Sequence, residues 1–525
     1  MQEFIAKHRE EITGVLSGFD RLVFRGTLRS LSHVNGMDTY LAMNKVLRKD
    51  FGRHVQRVSE RLKQASLAEA GKLGRPVQYL ASPQIDKEAL ARKIALQDGV
   101  RQGLIGVLTA VELCRTFEVY RNRETKQLDL VARWRKCLFL YPYWLHPRWG
   151  FMHARLQTWF PFSVQVCLNG GEWLARQMET ARLEFVRQDN CFPWVKDWTL
   201  AQRLLDAQLR VNWTNLLNEV AHQLNPAHAA IFRTFQARYY WTTYQSEWAT
   251  DVVFRRAATL RHLYPRLLHH AMTTLGSRDV MRYLGRRIPA SGKIPKNFQG
   301  EVVSDLRERE EGVRIKHARN GNSVKLYDKA FTPVGSVLRA EATLHNGDDL
   351  RVYRPREGDP QGACAWRRMR RGIADLHRRA QVSRRATERY LDALAEVDDD
   401  TTLEELVRRL GQRPKWNGRC VRALRPFAED RPWLEAVSRG EFTLNGFRNR
   451  DLQARFFPHS APTREEARRR TAWVGYRLRL LRAHGLIRKV TATHRYQLTA
   501  SGRKAIAALL TALRSTIQQL IPVAA

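Results

Sequence analysis

Negative charge is sparse in this sequence beside positive charge. Asp and Glu together number 52 against 90 Lys and Arg in 525 residues, a formal net charge of +38. A surplus of that size attracts polyanions and concentrates them at the surface. Cysteine is also scarce. The six (Cys114, Cys137, Cys167, Cys191, Cys364 and Cys420) form no CxxC pair, which argues against a structural zinc site and a disulfide framework. No apolar run reaches the roughly eighteen residues that a membrane span needs. The opening MQEFIAKHREEITG carries charge where a secretory signal needs an apolar stretch, so a cytoplasmic protein with no membrane partner is expected. GxxxxGK[ST], HExxH, GxSxG and the dinucleotide fingerprint are all missing. Energy-coupled helicase action and ordinary small-molecule metabolism are therefore disfavoured.

What is present is globular: 43% hydrophobic and 10% aromatic residues, in a chain too long for a single core. Stretches rich in Gly, Pro and charge at 286–300, 354–363, 396–402 and 457–463 read as linkers. They divide an α+β multidomain protein into a mixed, aromatic-rich α/β domain (1–290), a central antiparallel basic sheet (300–355), an arginine-rich helical segment (364–436) and a C-terminal module (440–525). In the first of these, GRPVQYLAS, LIGVLTAVEL and SVQVCL look extended, and DKEALARKIALQDGV has helical spacing. Trp144, Trp149 and Trp159, interleaved with Arg148 and Arg155, read either as core or as a stacking and phosphate surface.

The centre is the most regular part. In VRIKH (313–317), SVKLYDK (323–329), VLRAEATL (337–344) and LRVYR (350–354), apolar and polar residues alternate. The pattern predicts four strands of an antiparallel meander with one apolar and one charged face. The charged face collects Arg314, Lys316, Lys325, Arg339 and Arg351, the tyrosines 327 and 353, and one acid, Glu341. Like charges opposed across strands repel, so this face is expected to take an anion, with a polynucleotide backbone as the natural choice. Asp328 falls on the other face by parity, at a strand end where a turn could redirect it.

The order strand, KLYDK, strand, LRAE resembles the core of rolling-circle replication initiators of phages and plasmids. That resemblance implies Tyr327 as a nucleophile and Glu341 with Asp328 as ligands to a divalent metal, Mg or Mn. The HUH metal pair of many such enzymes is not found, and LHH at 268–270 is not that arrangement. Glu247 and Asp251, four apart, would share a helical face, where either a cation or Arg255 one turn on would relieve their repulsion. Asp20, on an early strand followed by Gly26, loosely resembles the first acid of RNase H-like nucleases, with no partners locatable by spacing.

At the C-terminus, Thr443 or Asn445 could cap a short helix. The long TREEARRRTAWVGYRLRLLRAHGLI follows, with Gly485 as its stop, then RKVTATHRYQLT as two short strands and a last helix. RLRLLRAHGLI and HRYQLTASGRKA resemble the third helix, wing and final helix of MarR-like winged-helix DNA-binding modules. The resemblance implies that Arg468, Arg469, Arg470, Arg477 and Arg479 face a groove, with Lys489, His494 and Arg495 on the wing. Upstream, Arg367, Arg368 and Arg371 belong to an arginine-dense stretch expected to track phosphates. The chain as a whole resembles proteins of bacterial mobile elements. The expectation is a protein that binds DNA or structured RNA and nicks or joins one strand with metal. The rival expectation is a non-catalytic DNA-binding regulator or the RNA-binding protein of a ribonucleoprotein.

Overall fold

The computed structural model describes residues 1–525 apart from 274, 276, 286–301, 310–311, 333, 348–349, 357, 396–401, 440–441, 443–445, 491–492 and 517–525. The expected linker 286–300, nearly all of 396–402 and the cap residues Thr443 and Asn445 lie outside the described residues.

Long alternating stretches fold into strands β1 (Ile12–Leu28), β2 (Val77–Leu80), β3 (Gly103–Arg121), β4 (Leu128–His146), β5 (Gly150–Gln157) and β6 (Val164–Asn169). A small hairpin, β7 (Phe185–Gln188) and β8 (Cys191–Val195), precedes β9 (Tyr239–Phe254). The basic centre forms β10 (Val303–Arg309), β11 (Gly312–Arg319), β12 (Asn322–Thr332) and β13 (Gly335–Leu344). Eleven of these strands make one mixed sheet in the order β10-β11-β12-β13-β9-β1-β6-β5-β4-β3-β2, in which only β2 and β3 run parallel. The central strands thus continue the N-terminal sheet through the β13–β9 pairing.

LRVYR does not join them. It becomes β14 (Arg351–Arg354), paired with β15 (Ala365–Arg368) in a separate two-stranded ribbon. Within 237–256, Tyr239–Phe254 is a strand and not the helix that the Glu247–Asp251 spacing suggests, because Trp, Tyr, Thr and Val favour a pleated, half-buried surface.

One face of β9, β12 and β13 is apolar. Val252, Leu326, Leu338, Ala340 and Ala342 are buried there against the helices Ala257–Thr273 and Leu376–Leu394. The opposite face is approached closely by backbone and by aromatic and aliphatic side chains. A Cβ on Gly18 would lie 2.5 Å from Cγ of Leu205 in the helix Trp198–Asp206, and one on Gly335 would lie 2.4 Å from the Pro193 carbonyl of β8. The glycines let that helix and the β7–β8 hairpin lie directly on the sheet. Trp149 is core, packed against Trp173 and Trp213, while Trp144 and Trp159 flank the same cluster. Arg155 bonds Glu112 at 2.7 Å. The aromatic stretch is therefore interior and does not form an open stacking surface.

Residues between 406 and 510 enclose a separate core built on Leu434, Phe447, Leu478, Leu481 and Ile506. Its element order is helix Arg431–Val437, strand Phe447–Arg448, helix Asn449–Phe456, helix Arg464–Ala483, strands Ile487–Lys489 and Arg495–Leu498, and helix Ala500–Arg514. The three strands pair in one small sheet. Gly485, at φ +72, ends the long helix as expected. No described helix is long and apolar enough to cross a membrane.

Candidate metal centre

Strand parity brings charged residues from four neighbouring strands to the face under the hairpin. Tyr327 pairs with Arg339, and Arg339 with Asp251; Lys325 pairs with Glu341, and Glu341 with Ala249; Thr343 pairs with Glu247. On β1 the register slips. Phe19 faces Trp248 and Arg21 faces Glu247, so Asp20 is an extra, unpaired residue. A bulge of this kind re-aims a side chain. Here it brings Asp20 toward Glu247 and Glu341, and ligand oxygens of the three carboxylates lie within 4.8 Å of one another. Ala249, with only a methyl, is the cross-strand partner of Glu341, two residues along β9 from Glu247.

Each acid has its own surroundings. Arg339, itself buried, donates to Asp251 through Nε (2.6 Å) and Nη2 (2.7 Å), reaches Asp20 at 3.3 Å and donates to the Asn190 carbonyl at 2.8 Å. Asn190 donates its amide to both Asp20 oxygens, at 3.0 and 2.8 Å. Its buried Oδ1 has no partner among the described residues. Glu341 is buried and accepts from Lys325 and, at 3.2 Å, from Thr343. Glu247 is half-buried and accepts from Gln245 at 2.9 Å.

The electrostatics follow from this geometry. Burial raises the Asp20 pKa to about 6, against the opposing pull of Arg339 and with help from the neighbouring carboxylates. Burial and the Glu341 charge raise Glu247 as well. Burial also opposes ionisation of Glu341, but the Lys325 ammonium wins and holds it below the usual carboxylate range. Asp251 and Glu341 each have a cation of their own; Asp20 has Arg339 at 3.3 Å and Glu247 the cross-strand Arg21, yet burial keeps both of their pKa values raised. A divalent cation would supply the missing charge, and oxygen donors at this spacing suit Mg or Mn.

Glu341 and Glu247 are brought together, and Asp20 completes the group. Asp328 is not part of it. Strand β12 runs on to Thr332, so no turn redirects Asp328, and it stays on the opposite face paired with Leu338, where burial raises its pKa to about 7. Asp251 is occupied by Arg339, not Arg255, because β9 is extended and the cation comes from the next strand. Tyr327 lies on the same face as Glu341, with its hydroxyl 3.4 Å from Arg314. Burial, with Glu341 nearby, raises its pKa.

The cations expected to hold phosphate divide in two. Lys325 and Arg339 serve the carboxylates just described, and Arg477 is turned inward onto buried Asp430 at 2.7 Å. Arg469 and Arg470 pair with Glu466. Arg351, Arg368, Arg371, Arg468, Arg479, Lys489 and His494 are exposed, and Arg314, Lys316, Arg367 and Arg495 are half-buried. Of the central cations, Arg339 thus meets carboxylates from β1 and β9, and Lys325 meets Glu341 of β13. No family model, curated protein or solved structure matches the chain.

Proposed function

We propose that this is a cytoplasmic nucleic-acid-processing protein that cleaves or joins a strand with a divalent cation held by Asp20, Glu247 and Glu341. One observation carries the reading: three carboxylates converge from three adjacent strands inside a chain of net charge +38. Such convergence is costly to a fold unless a cation or a proton relieves it. When bound, the cation polarises the scissile phosphate and stabilises charge on the leaving oxygen. Tyr327, on the same face, is the nucleophile in this reading. Its raised pKa means that it needs a base to attack.

The C-terminal element order supports a winged-helix reading. The exposed Arg468 and Arg479 of its long helix, with Lys489 and His494 on the hairpin, suit phosphate contacts. DNA is accordingly the first substrate to try. The deciding experiment incubates the full chain with supercoiled plasmid and with end-labelled single strands, in MgCl2, MnCl2 or EDTA. Cation-dependent nicking that disappears in Glu247→Gln and Glu341→Gln supports the proposal. Nucleic-acid binding without cleavage under every condition would return the protein to the class of non-catalytic binders.

A further inference from the structure

The β14–β15 ribbon has two unlike faces. Val352 is buried against Leu344, Leu350 and Met369, and Arg354 on the same face bonds the Arg368 and Pro355 carbonyls. The ribbon is thereby fixed to the body of the protein. Its other face presents Arg351, Tyr353, Trp366 and Arg368, all exposed. Tyr353 and Trp366 are direct cross-strand partners with ring centroids 5.8 Å apart, and they remain 60% and 58% exposed. Arg351 and Arg368 are direct partners too. Neither makes an ion pair among the described residues.

Two features of this face have no account within the fold. Two large rings stand in water on a ribbon whose other side is packed. Two like charges also stand directly opposed, an arrangement that destabilises a hairpin unless an anion lies between them. One occupant resolves both. Unpaired bases offer flat π-faces to aromatic rings, and the phosphates beside them meet the guanidinium groups. A duplex offers the charge but keeps its bases stacked out of reach.

We propose that the outer face of the β14–β15 ribbon is a stacking platform for single-stranded nucleic acid, with Tyr353 and Trp366 under successive bases and Arg351 and Arg368 on the backbone. This rests on the reading of nucleic acid as the partner and specifies its unpaired form. Because stacking tolerates any base, the platform holds the strand without selecting sequence.

The test measures fluorescence anisotropy of labelled single-stranded DNA, single-stranded RNA and duplex DNA on the full chain, in EDTA so that the carboxylate cluster plays no part. Trp366→Ala and Tyr353→Ala should each weaken single-strand binding by about ten-fold and leave duplex binding within about two-fold. Trp366→Phe should restore most of the affinity. The Arg351→Gln/Arg368→Gln double variant, which touches no core residue, should reduce the salt slope for single strands by roughly 1.4. Equal weakening of single strands and duplex, or no change in either, would overturn the proposal. Since cleavage is assayed separately with metal present, a catalytically inert protein that still shows this pattern leaves the platform standing.

Discussion

Arg339 grips Asp251 with two nitrogens of its guanidinium, at 2.6 and 2.7 Å, and both side chains are buried. The pair joins β13 to β9 beneath the hairpin and supports Asp20 from the side. Removing one partner of a buried ion pair leaves an uncompensated charge. Arg339→Met is therefore expected to destabilise the fold by about 3–5 kcal/mol in chemical denaturation. The Arg339→Met/Asp251→Leu double variant should recover much of that loss, and a double-mutant cycle measures the coupling.

The carboxylate cluster should trade stability for cation binding. Glu247→Gln removes a like charge beside Glu341 and Asp20, so the metal-free protein is expected to melt at a higher temperature than the natural one. The rise in Tm that Mn²⁺ gives the natural protein should vanish in the variant. A variant that melts lower and still responds fully to Mn²⁺ would contradict the assignment of Glu247.

A specific pH dependence follows from Asp20. Its folded pKa, about 6, lies above its ordinary value of 3.8, so the folded state holds the proton more tightly than the unfolded chain. The stability this lends is complete below pH 3.8, fades as pH rises through 6, and spans about 3 kcal/mol. A cation competes with that proton, so Mn²⁺ affinity should climb between pH 5 and 7 with proton release. Calorimetric titration in two buffers of different ionisation heat measures that release, and Asp20→Asn should reduce it, leaving the part that comes from Glu247.

Tyr327→Phe separates attack by the phenol from attack by water. The expected outcome is loss of any covalent protein–DNA adduct on denaturing gels, with Mn²⁺ binding unchanged. Full cleavage by the phenylalanine variant would assign the nucleophile to water.

Within the C-terminal core, two arginines two residues apart on one helix should behave oppositely. Arg477 bonds buried Asp430, so Arg477→Ala should lower Tm. Arg479 is exposed, so Arg479→Ala should leave Tm unchanged, weaken DNA binding and reduce the salt slope by about 0.9.

Much of this was legible from alternation alone. β11, β12 and β13 run where period-2 patterning places them, and the parity that set Lys325, Tyr327, Arg339 and Glu341 on one face holds in the sheet. The same parity set Asp328 on the opposite side. Glu247 and Asp251 have a spacing that fits a helical face, yet they share a face on a strand as well, about 13 Å apart along it. That separation is why only Glu247 joins the cluster. Asp20 was visible as an acid among apolar strand residues, but nothing in its spacing named its partners.

Composition and a local period suffice for the charge surplus, the strand character of the centre and the segregation of each strand into an apolar and a charged side. Which charges meet depends on the folded arrangement. Strand order places β13 beside β9 and β9 beside β1, and a one-residue bulge turns Asp20 toward its neighbours. Residues hundreds of positions apart become adjacent through backbone pairing, which no local pattern encodes.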